Sequence, residues 1–128
     1  MAMRHNTAVS PPFYLGNLEQ DTLDNTDYKR ELHWTQQQQL FVMNITPADG
    51  GIEREIHEAG TQFIRIEAGS AWVTVNGARR RVSDGFAVTI GPGVEHEVEV
   101  IGDKPLKLYT IYSPPQHSRG TVLARRTR

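Results

Sequence analysis

Short runs in which apolar and polar residues alternate make up most of this chain. In residues 40–46, for example, Phe41, Met43 and Ile45 would share one face of an extended strand. Gly, Pro or Asn-Gly turns separate these runs, and none of the runs has the period of an amphipathic helix. About eight or nine short strands with such turns between them predict an all-β sandwich or barrel. The predicted strands are residues 28–34, 40–46, 52–57, 62–67, 71–75, 79–82, 86–90, 94–101 and 105–112.

Two segments near the first strands predict loops instead of regular structure. Residues 21–27 are rich in Asp, Asn and Thr, which favour turns. The glutamine run at 36–39 predicts a hairpin loop. The strand between them, residues 28–34, carries three charged residues in a row at 29–31, so we expect it to be exposed.

The two ends of the chain differ from its alternating central part. Residues 21–115 are the predicted barrel domain, and residues 116–128 are predicted to be a flexible, solvated tail. Residues 1–20 are predicted to form an N-terminal arm that carries an apolar triplet at 13–15. This arm is either a loose terminus or a segment exchanged with a second subunit. Phe63, which the alternation places on the outer face of its strand, also favours a homodimer.

Composition and charge exclude several classes of protein. The 128 residues fit one domain with a core, and the net charge of −1 gives no argument for a nucleic acid or an anionic membrane as partner. The chain has no cysteine, which excludes a disulfide scaffold, a thiolate metal site and a cysteine nucleophile. No apolar stretch approaches the ~20 residues that span a bilayer, and the N-terminus lacks the apolar part of a signal peptide. We therefore expect a cytoplasmic protein that has neither a nucleic acid nor a membrane as partner.

Four polar side chains at strand positions are the candidates for chemistry. Glu55 and His57 are two residues apart and therefore point to the same face of an extended strand. Gln62 begins the next strand, and His96 follows a Gly-Pro-Gly corner at 91–93. If a barrel brings the four together, they would form a divalent-metal site of two imidazoles, one carboxylate and one amide oxygen. The alternation of its strand alone favours an ordinary solvent-exposed position for Glu55, and it is the residues that follow which favour a ligand.

The spacing of these residues resembles the two motifs of the cupin family, whose members are small jelly-roll β-barrels. The first family motif has His-x-His, then Glu, then Gly; the second has Gly, then Pro-x-Gly, then His. The positions that match the first motif are Glu55, His57, Gln62 and Gly69. The positions that match the second are Gly85, Gly91, Gly93 and His96, with Gly91 in the place of the proline. Residues 106–115 are also similar to small bacterial cupins described as mannose-6-phosphate isomerase-like, so the resemblance implies a single-domain cupin jelly roll.

Two positions depart from the family pattern. Glu55 stands where the family has the first histidine, and Gln62 stands where it has the glutamate. The resemblance implies that Glu55, Gln62 and the two histidines His57 and His96 hold a divalent metal ion. Two histidines and one carboxylate are a known arrangement for Fe(II), and they suit Mn, Ni or Zn as well. The alternative is an empty pocket in which Glu55 and Gln62 only form hydrogen bonds with their neighbours.

Two functions are compatible with this resemblance. The first is a metal-dependent enzyme, of isomerase or dioxygenase type, that acts on a small organic molecule in the barrel. If Glu55 does not ligate, it would be a catalytic base, because burial raises the pKa of a carboxyl group. Tyr112 shares the face of Leu106 and Leu108 and could reach the pocket mouth. The second function is a non-catalytic protein that binds a sugar or small acid.

The remaining histidines are predicted to have no role in the site. His5 and His117 lie in the terminal segments, where we expect them to be exposed to solvent. His33 lies beside Trp34 at a strand edge. No second ligand stands near any of these histidines at the spacing of a metal site.

Overall fold

The computed structural model describes residues 12–127, which contain ten β-strands and one short helix. The predicted all-β class is confirmed, and most strands lie within two residues of their predicted bounds. The helix α1 spans Leu18–Asp24. The strands are β1 (Lys29–Trp34), β2 (Gln39–Ile45), β3 (Gly51–Glu55), β4 (Thr61–Ala68), β5 (Ser70–Val75), β6 (Ala78–Val82), β7 (Ala87–Ile90), β8 (His96–Ile101), β9 (Leu106–Ser113) and β10 (Val122–Leu123).

The strands form two antiparallel sheets with the core between them. One sheet has six strands in the order β10-β1-β2-β9-β4-β7, and the other has four in the order β3-β8-β5-β6. Side chains from both sheets form the shared core, as expected for a jelly roll. The buried apolar side chains of this core are Tyr28, Met43, Ile45, Ile52, Ile64, Ile66, Ala71, Val73, Ile90, Val98, Leu106 and Leu108.

The inward positions of β9 change from apolar to polar along the strand. Leu106 and Leu108 are fully buried in the apolar core, whereas the next two inward positions are Thr110 and Tyr112. On the neighbouring strand β4, Gln62 pairs in register with Tyr112. The six-stranded sheet therefore has a polar inner surface at the end where β9 finishes and β4 begins.

The helix α1 was not predicted, and the prediction of turns alone across residues 21–27 was wrong. Asn17 caps the helix, because its side-chain oxygen accepts a hydrogen bond of 3.0 Å from the backbone N–H of Gln20. Glu19 and Asp21 in the first turn favour the helix through its dipole. At seven residues the helix is too short to show a period in the sequence. It packs against β2, β4 and β9 on the outside of the six-stranded sheet.

The end of the chain belongs to the barrel. Strand β10 pairs with β1, and the guanidinium of Arg126 donates a hydrogen bond of 2.8 Å to the carbonyl of Asp49. The barrel thus extends past the predicted boundary at residue 115, because backbone groups at the edge of β1 pair with this segment. Of the predicted N-terminal arm, residues 1–11 lie outside the described residues, and its exchange between subunits stays a prediction.

Within residues 12–127, no helix is long and apolar enough to cross a membrane.

Candidate metal centre

A bulge in β3 turns Glu55 toward the inside of the barrel. Ile52 pairs with Val98 and Glu55 pairs with His96, with a shift of register between the two pairs. Strict alternation along the strand would place Ile52 and Glu55 on opposite faces. One extra residue in a bulge places both side chains inside, so Ile52 joins the core while Glu55 faces His96.

Three of the four predicted ligands converge. One carboxylate oxygen of Glu55, Oε1, lies 3.2 Å from Nε2 of His57 and 3.6 Å from Nε2 of His96. All three candidate ligand atoms lie within 4.8 Å of one another. A backbone hydrogen bond of 2.8 Å from Gly93 to the carbonyl of His57 joins the two motif segments directly. The arrangement matches the two-histidine, one-carboxylate chemistry of divalent-metal sites.

The side chain of His96 is oriented by a backbone contact. It is almost fully buried, and its Nδ1 lies 3.1 Å from the carbonyl of Val94. A carbonyl only accepts, so Nδ1 carries a proton, and in the neutral imidazole the lone pair is then on Nε2. That Nε2 atom has no hydrogen-bond partner in the described part of the chain. A metal-ligating histidine commonly has this orientation, with its other nitrogen bonded to a carbonyl.

Gln62, the fourth predicted ligand, lies on the facing sheet. Its amide nitrogen donates a hydrogen bond of 3.0 Å to the hydroxyl of Thr110, and its oxygen Oε1 is buried without a partner among the described residues. Gln62 pairs in register with Tyr112, whose ring centroid lies 5.6 Å from that of His57. Leaving such an acceptor unsatisfied costs about 1–3 kcal/mol. The free lone pairs of Gln62 and His96 therefore fit a cation at this end of the barrel.

The charge state of Glu55 suits a ligand better than a base. Burial alone would raise the pKa of Glu55, but the neighbouring His96 imidazole and the charge of Lys29 outweigh burial and lower the pKa. The expectation of a raised pKa for Glu55 was therefore wrong, because it considered burial without the neighbouring positive groups. Burial also opposes the charged form of His96, but the carboxylate of Glu55 raises its pKa above the ordinary value.

A buried lysine lies next to this centre, where the sequence predicted an exposed strand. Lys29 is 7% exposed, and its ammonium donates a hydrogen bond of 3.1 Å to the hydroxyl of Tyr112. The same nitrogen lies 2.9 Å from Nε2 of His117, which must accept because an ammonium has no lone pair. Burial lowers the pKa of Lys29 to about 8. Of the three adjacent charged residues at 29–31, only Lys29 is buried, and no local pattern in the sequence indicates which one it is.

His117 is part of this cluster, so the expectation that it would be exposed was wrong. Its ring centroid lies 4.9 Å from that of Tyr112 and 5.4 Å from that of Phe41. Burial and the nearby ammonium of Lys29 lower the pKa of His117 to about 4. The imidazole is therefore neutral near pH 7, which agrees with its role as acceptor.

Gln39 holds His117 in place. The amide of Gln39 is fully buried and donates to the carbonyl of His117 at 3.1 Å and to the carboxylate of Glu31 at 2.9 Å. Its oxygen accepts hydrogen bonds from the backbone N–H groups of Gln116 and His117. The glutamine run at 36–39 was predicted to be a loop. Its last residue, Gln39, instead begins β2, and the hydrogen bonds of its side chain hold the C-terminal segment against the barrel.

Mild acid should destabilise the protein through His117. The folded pKa of about 4 lies below the ordinary value of 6.5, so the unfolded chain binds more protons between these values. The free energy of unfolding contributed by this group therefore falls as the pH drops through that window. In urea unfolding at about pH 7 and about pH 5, wild type should lose more stability than His117→Gln. Equal losses in the two proteins would show that His117 does not titrate in this way.

Comparison with known proteins places the described fold among cupin domains. The family profile described as "Cupin domain" matches residues 41–112. The chain is 35% identical over 118 residues to the uncharacterized protein L612 of Acanthamoeba polyphaga mimivirus, covering 88% of this chain and 72% of that protein. It is 33% identical over 118 residues to the uncharacterized protein YrkC of Bacillus subtilis and spans 63% of that protein's length. The crystal structure of BH2720 from Bacillus halodurans superposes with a TM-score of 0.82 at 35% identity, covering 91% of this chain and 94% of the other.

Proposed function

This chain belongs to the cupin family, and we propose that it is a divalent-metal-dependent enzyme that acts on a small organic molecule inside its barrel. The reaction that we propose is of isomerase or dioxygenase type. The observation that supports this most directly is the position of the Glu55 carboxylate, 3.2 Å from Nε2 of His57 and 3.6 Å from Nε2 of His96.

We assign metal binding to Glu55, His57 and His96, with the amide oxygen of Gln62 as a fourth ligand. When bound, the ion would be Fe, Mn, Ni or Zn, and it would polarise an oxygen of the substrate or, if it is Fe(II), take part in dioxygen chemistry. Two neutral imidazoles and one carboxylate are the ligand types that these ions accept.

The protein's own groups prepare this site. The carbonyl of Val94 keeps the proton of His96 away from the metal side, and Thr110 keeps the amide nitrogen of Gln62 turned away. The side chains of Glu55 and His57 are 26% and 18% exposed, so a small molecule can approach from their side. Tyr112 has a raised pKa because of its burial, so its hydroxyl keeps its proton and can donate a hydrogen bond. In this proposal Glu55 is a ligand, and Tyr112 contacts the substrate.

Metal binding can be tested without knowing the substrate. Protein purified without added metal and treated with EDTA should melt at a lower temperature than the same protein given Zn²⁺, Mn²⁺ or Ni²⁺. An ion at about one hundred times its Kd stabilises by about 2.7 kcal/mol. For a domain of this size that corresponds to a rise in Tm of roughly 10 °C. Elemental analysis of the untreated protein would identify the ion. If EDTA and added metals both leave Tm unchanged, the metal-dependent function is wrong.

A second candidate function uses the same pocket without catalysis. The buried ammonium of Lys29 beside Tyr112 favours a protein that binds a small acid. Ligand binding without turnover in the metal-loaded protein would support this alternative. The mannose-6-phosphate isomerase-like subtype, the homodimer and the cytoplasmic location stay predictions from the sequence.

A further inference from the structure

Lys29 is a buried cation beside the candidate metal centre. No carboxylate of residues 12–127 forms a salt bridge with its ammonium, and residues 1–11 contain neither Asp nor Glu. Its neighbours are the hydroxyl of Tyr112, the imidazole of His117 and the ring of Phe41, whose centroid lies 5.1 Å from Nζ. The Glu55 carboxylate acts on this charge without forming a salt bridge, and a buried charge that lacks a partner in contact is unfavourable. A bound anion would provide that pairing.

Two hydrogen-bond donors of this cluster remain available. An ammonium has three N–H groups, and the structure assigns one to Tyr112 and one to His117. The hydroxyl of Tyr112 accepts from Lys29, and its own hydrogen has no acceptor among the described residues. One free N–H and one free O–H side by side match the two oxygens of a carboxylate.

This pair of donors lies beside the candidate metal centre. The ring of Tyr112 meets the ring of His57 edge to face, with centroids 5.6 Å apart. The Glu55 carboxylate lies close enough to raise the pKa of Lys29, yet the two side chains form no salt bridge. The ring that carries the Tyr112 hydroxyl therefore packs directly against one of the three converging ligands.

We propose that Lys29 and Tyr112 form a carboxylate-binding subsite, so that the ligand of this protein is a small organic acid. The carboxylate of the acid accepts hydrogen bonds from the Lys29 ammonium and the Tyr112 hydroxyl. An oxygen on the carbon next to the carboxylate faces Glu55, His57 and His96. This part of the inference rests on the proposed function, because it requires a metal ion at those three residues. A neutral sugar would leave the ammonium unpaired.

The protonation states fit this assignment. Although burial lowers the pKa of Lys29 to about 8, the amine still carries its proton at pH 7. Burial and the ammonium keep His117 neutral, so the imidazole does not compete for the anion. Tyr112 stays a neutral phenol and therefore remains a donor.

The subsite can be tested with a pair of probes that differ in charge. Glycolate and its neutral counterpart glycolamide are titrated into the full chain, either loaded with Zn²⁺ or treated with EDTA, and their Kd values are measured by calorimetry. The wild-type protein should bind glycolate at least about tenfold more tightly than glycolamide. Lys29→Met should remove this preference, and Tyr112→Phe should weaken glycolate binding while it keeps the ammonium.

Lys107→Met is the matched control. Lys107 lies on β9, on the outer side of the same sheet, and donates to the carbonyl of Asn25. This control should bind glycolate as wild type does, and thermal melting should show that all variants fold. Lys29→Met replaces the buried ammonium by an apolar side chain of similar length, which removes the cost of burying its charge.

The outcomes separate the subsite from the metal. The subsite is overturned if wild type binds glycolate and glycolamide with equal affinity. It is also overturned if Lys29→Met and Tyr112→Phe bind glycolate as tightly as Lys107→Met does. If the protein does not bind Zn²⁺, only the proposed function is contradicted. Titration of glycolate into the EDTA-treated protein and its Lys29→Met variant still measures whether glycolate binding depends on Lys29. A charge preference that depends on Lys29 and Tyr112 supports the subsite in either state.

Discussion

Replacing Glu55 by Gln is expected to weaken Zn²⁺ binding by at least about 100-fold. The change keeps the shape of the side chain but removes the only carboxylate of the converging set. Loss of a group that merely orients a metal ligand costs roughly 10–100-fold in affinity, so loss of a ligand should cost more. Zn²⁺ affinity can be measured by competition with a chromogenic chelator, and any turnover should fall with occupancy.

Glu53→Gln is the matched control for this change. Glu53 lies two residues earlier on the same strand, and its side chain is 71% exposed, where it contacts Arg126. The same chemical change there should leave Zn²⁺ affinity within about twofold of wild type, since exposed ion pairs contribute little. If Glu55→Gln and Glu53→Gln bind Zn²⁺ equally well, Glu55 is not a ligand. Lost turnover with full occupancy would instead restore Glu55 as a catalytic base.

Replacing Gly51 by Ala is expected to lower the free energy of unfolding by about 3 kcal/mol or more. A Cβ at this position would lie 1.9 Å from the carbonyl oxygen of Val98, and the backbone angle φ is +154°. The obstructing atom belongs to the paired strand β8, so β3 must move away from it. A loss of this size lowers Tm by roughly 10 °C. Because β3 also carries Glu55, metal affinity should fall as well.

Gly91→Ala provides the comparison. A Cβ at Gly91 would meet no atom within 4 Å, and this glycine does not adopt the left-handed conformation. Its stability should therefore stay within about 0.5 kcal/mol of wild type. Urea unfolding of both variants measures the difference. If Gly51→Ala unfolds at the same urea concentration as Gly91→Ala, then β3 is not held against β8 as the structure describes.

The strands themselves were predictable because alternation is a strong local signal. Residues 40–46 and 71–75 were predicted as strands, and the structure has Gln39–Ile45 and Ser70–Val75. The inward side chains of β2, such as Met43, are buried as the pattern required. The helix Leu18–Asp24 was not predicted, because a two-turn helix of mostly polar residues has the same composition as a turn-rich loop.

The candidate site was found only in part. Spacing within two motifs identified Glu55, His57 and His96, which the fold brings together. Lys29 was missed, because no local pattern tells which of several adjacent charged residues will be enclosed by strands from elsewhere in the chain. His117 was missed for a related reason: its partners Phe41 and Tyr112 are distant in the sequence.

The sequence by itself determined that this chain is all-β, since strand periodicity and turn residues act over a few neighbouring positions. Its resemblance to the cupin motifs singled out four ligand-type residues, Glu55, His57, Gln62 and His96. The tertiary structure decided which way Glu55 points and in which direction its pKa shifts. A bulge in β3 turns Glu55 inward beside Ile52, and the charges around Glu55 lower its pKa against the effect of burial. Both outcomes depend on groups contributed by other strands, and such contacts exist only once the two sheets have packed together.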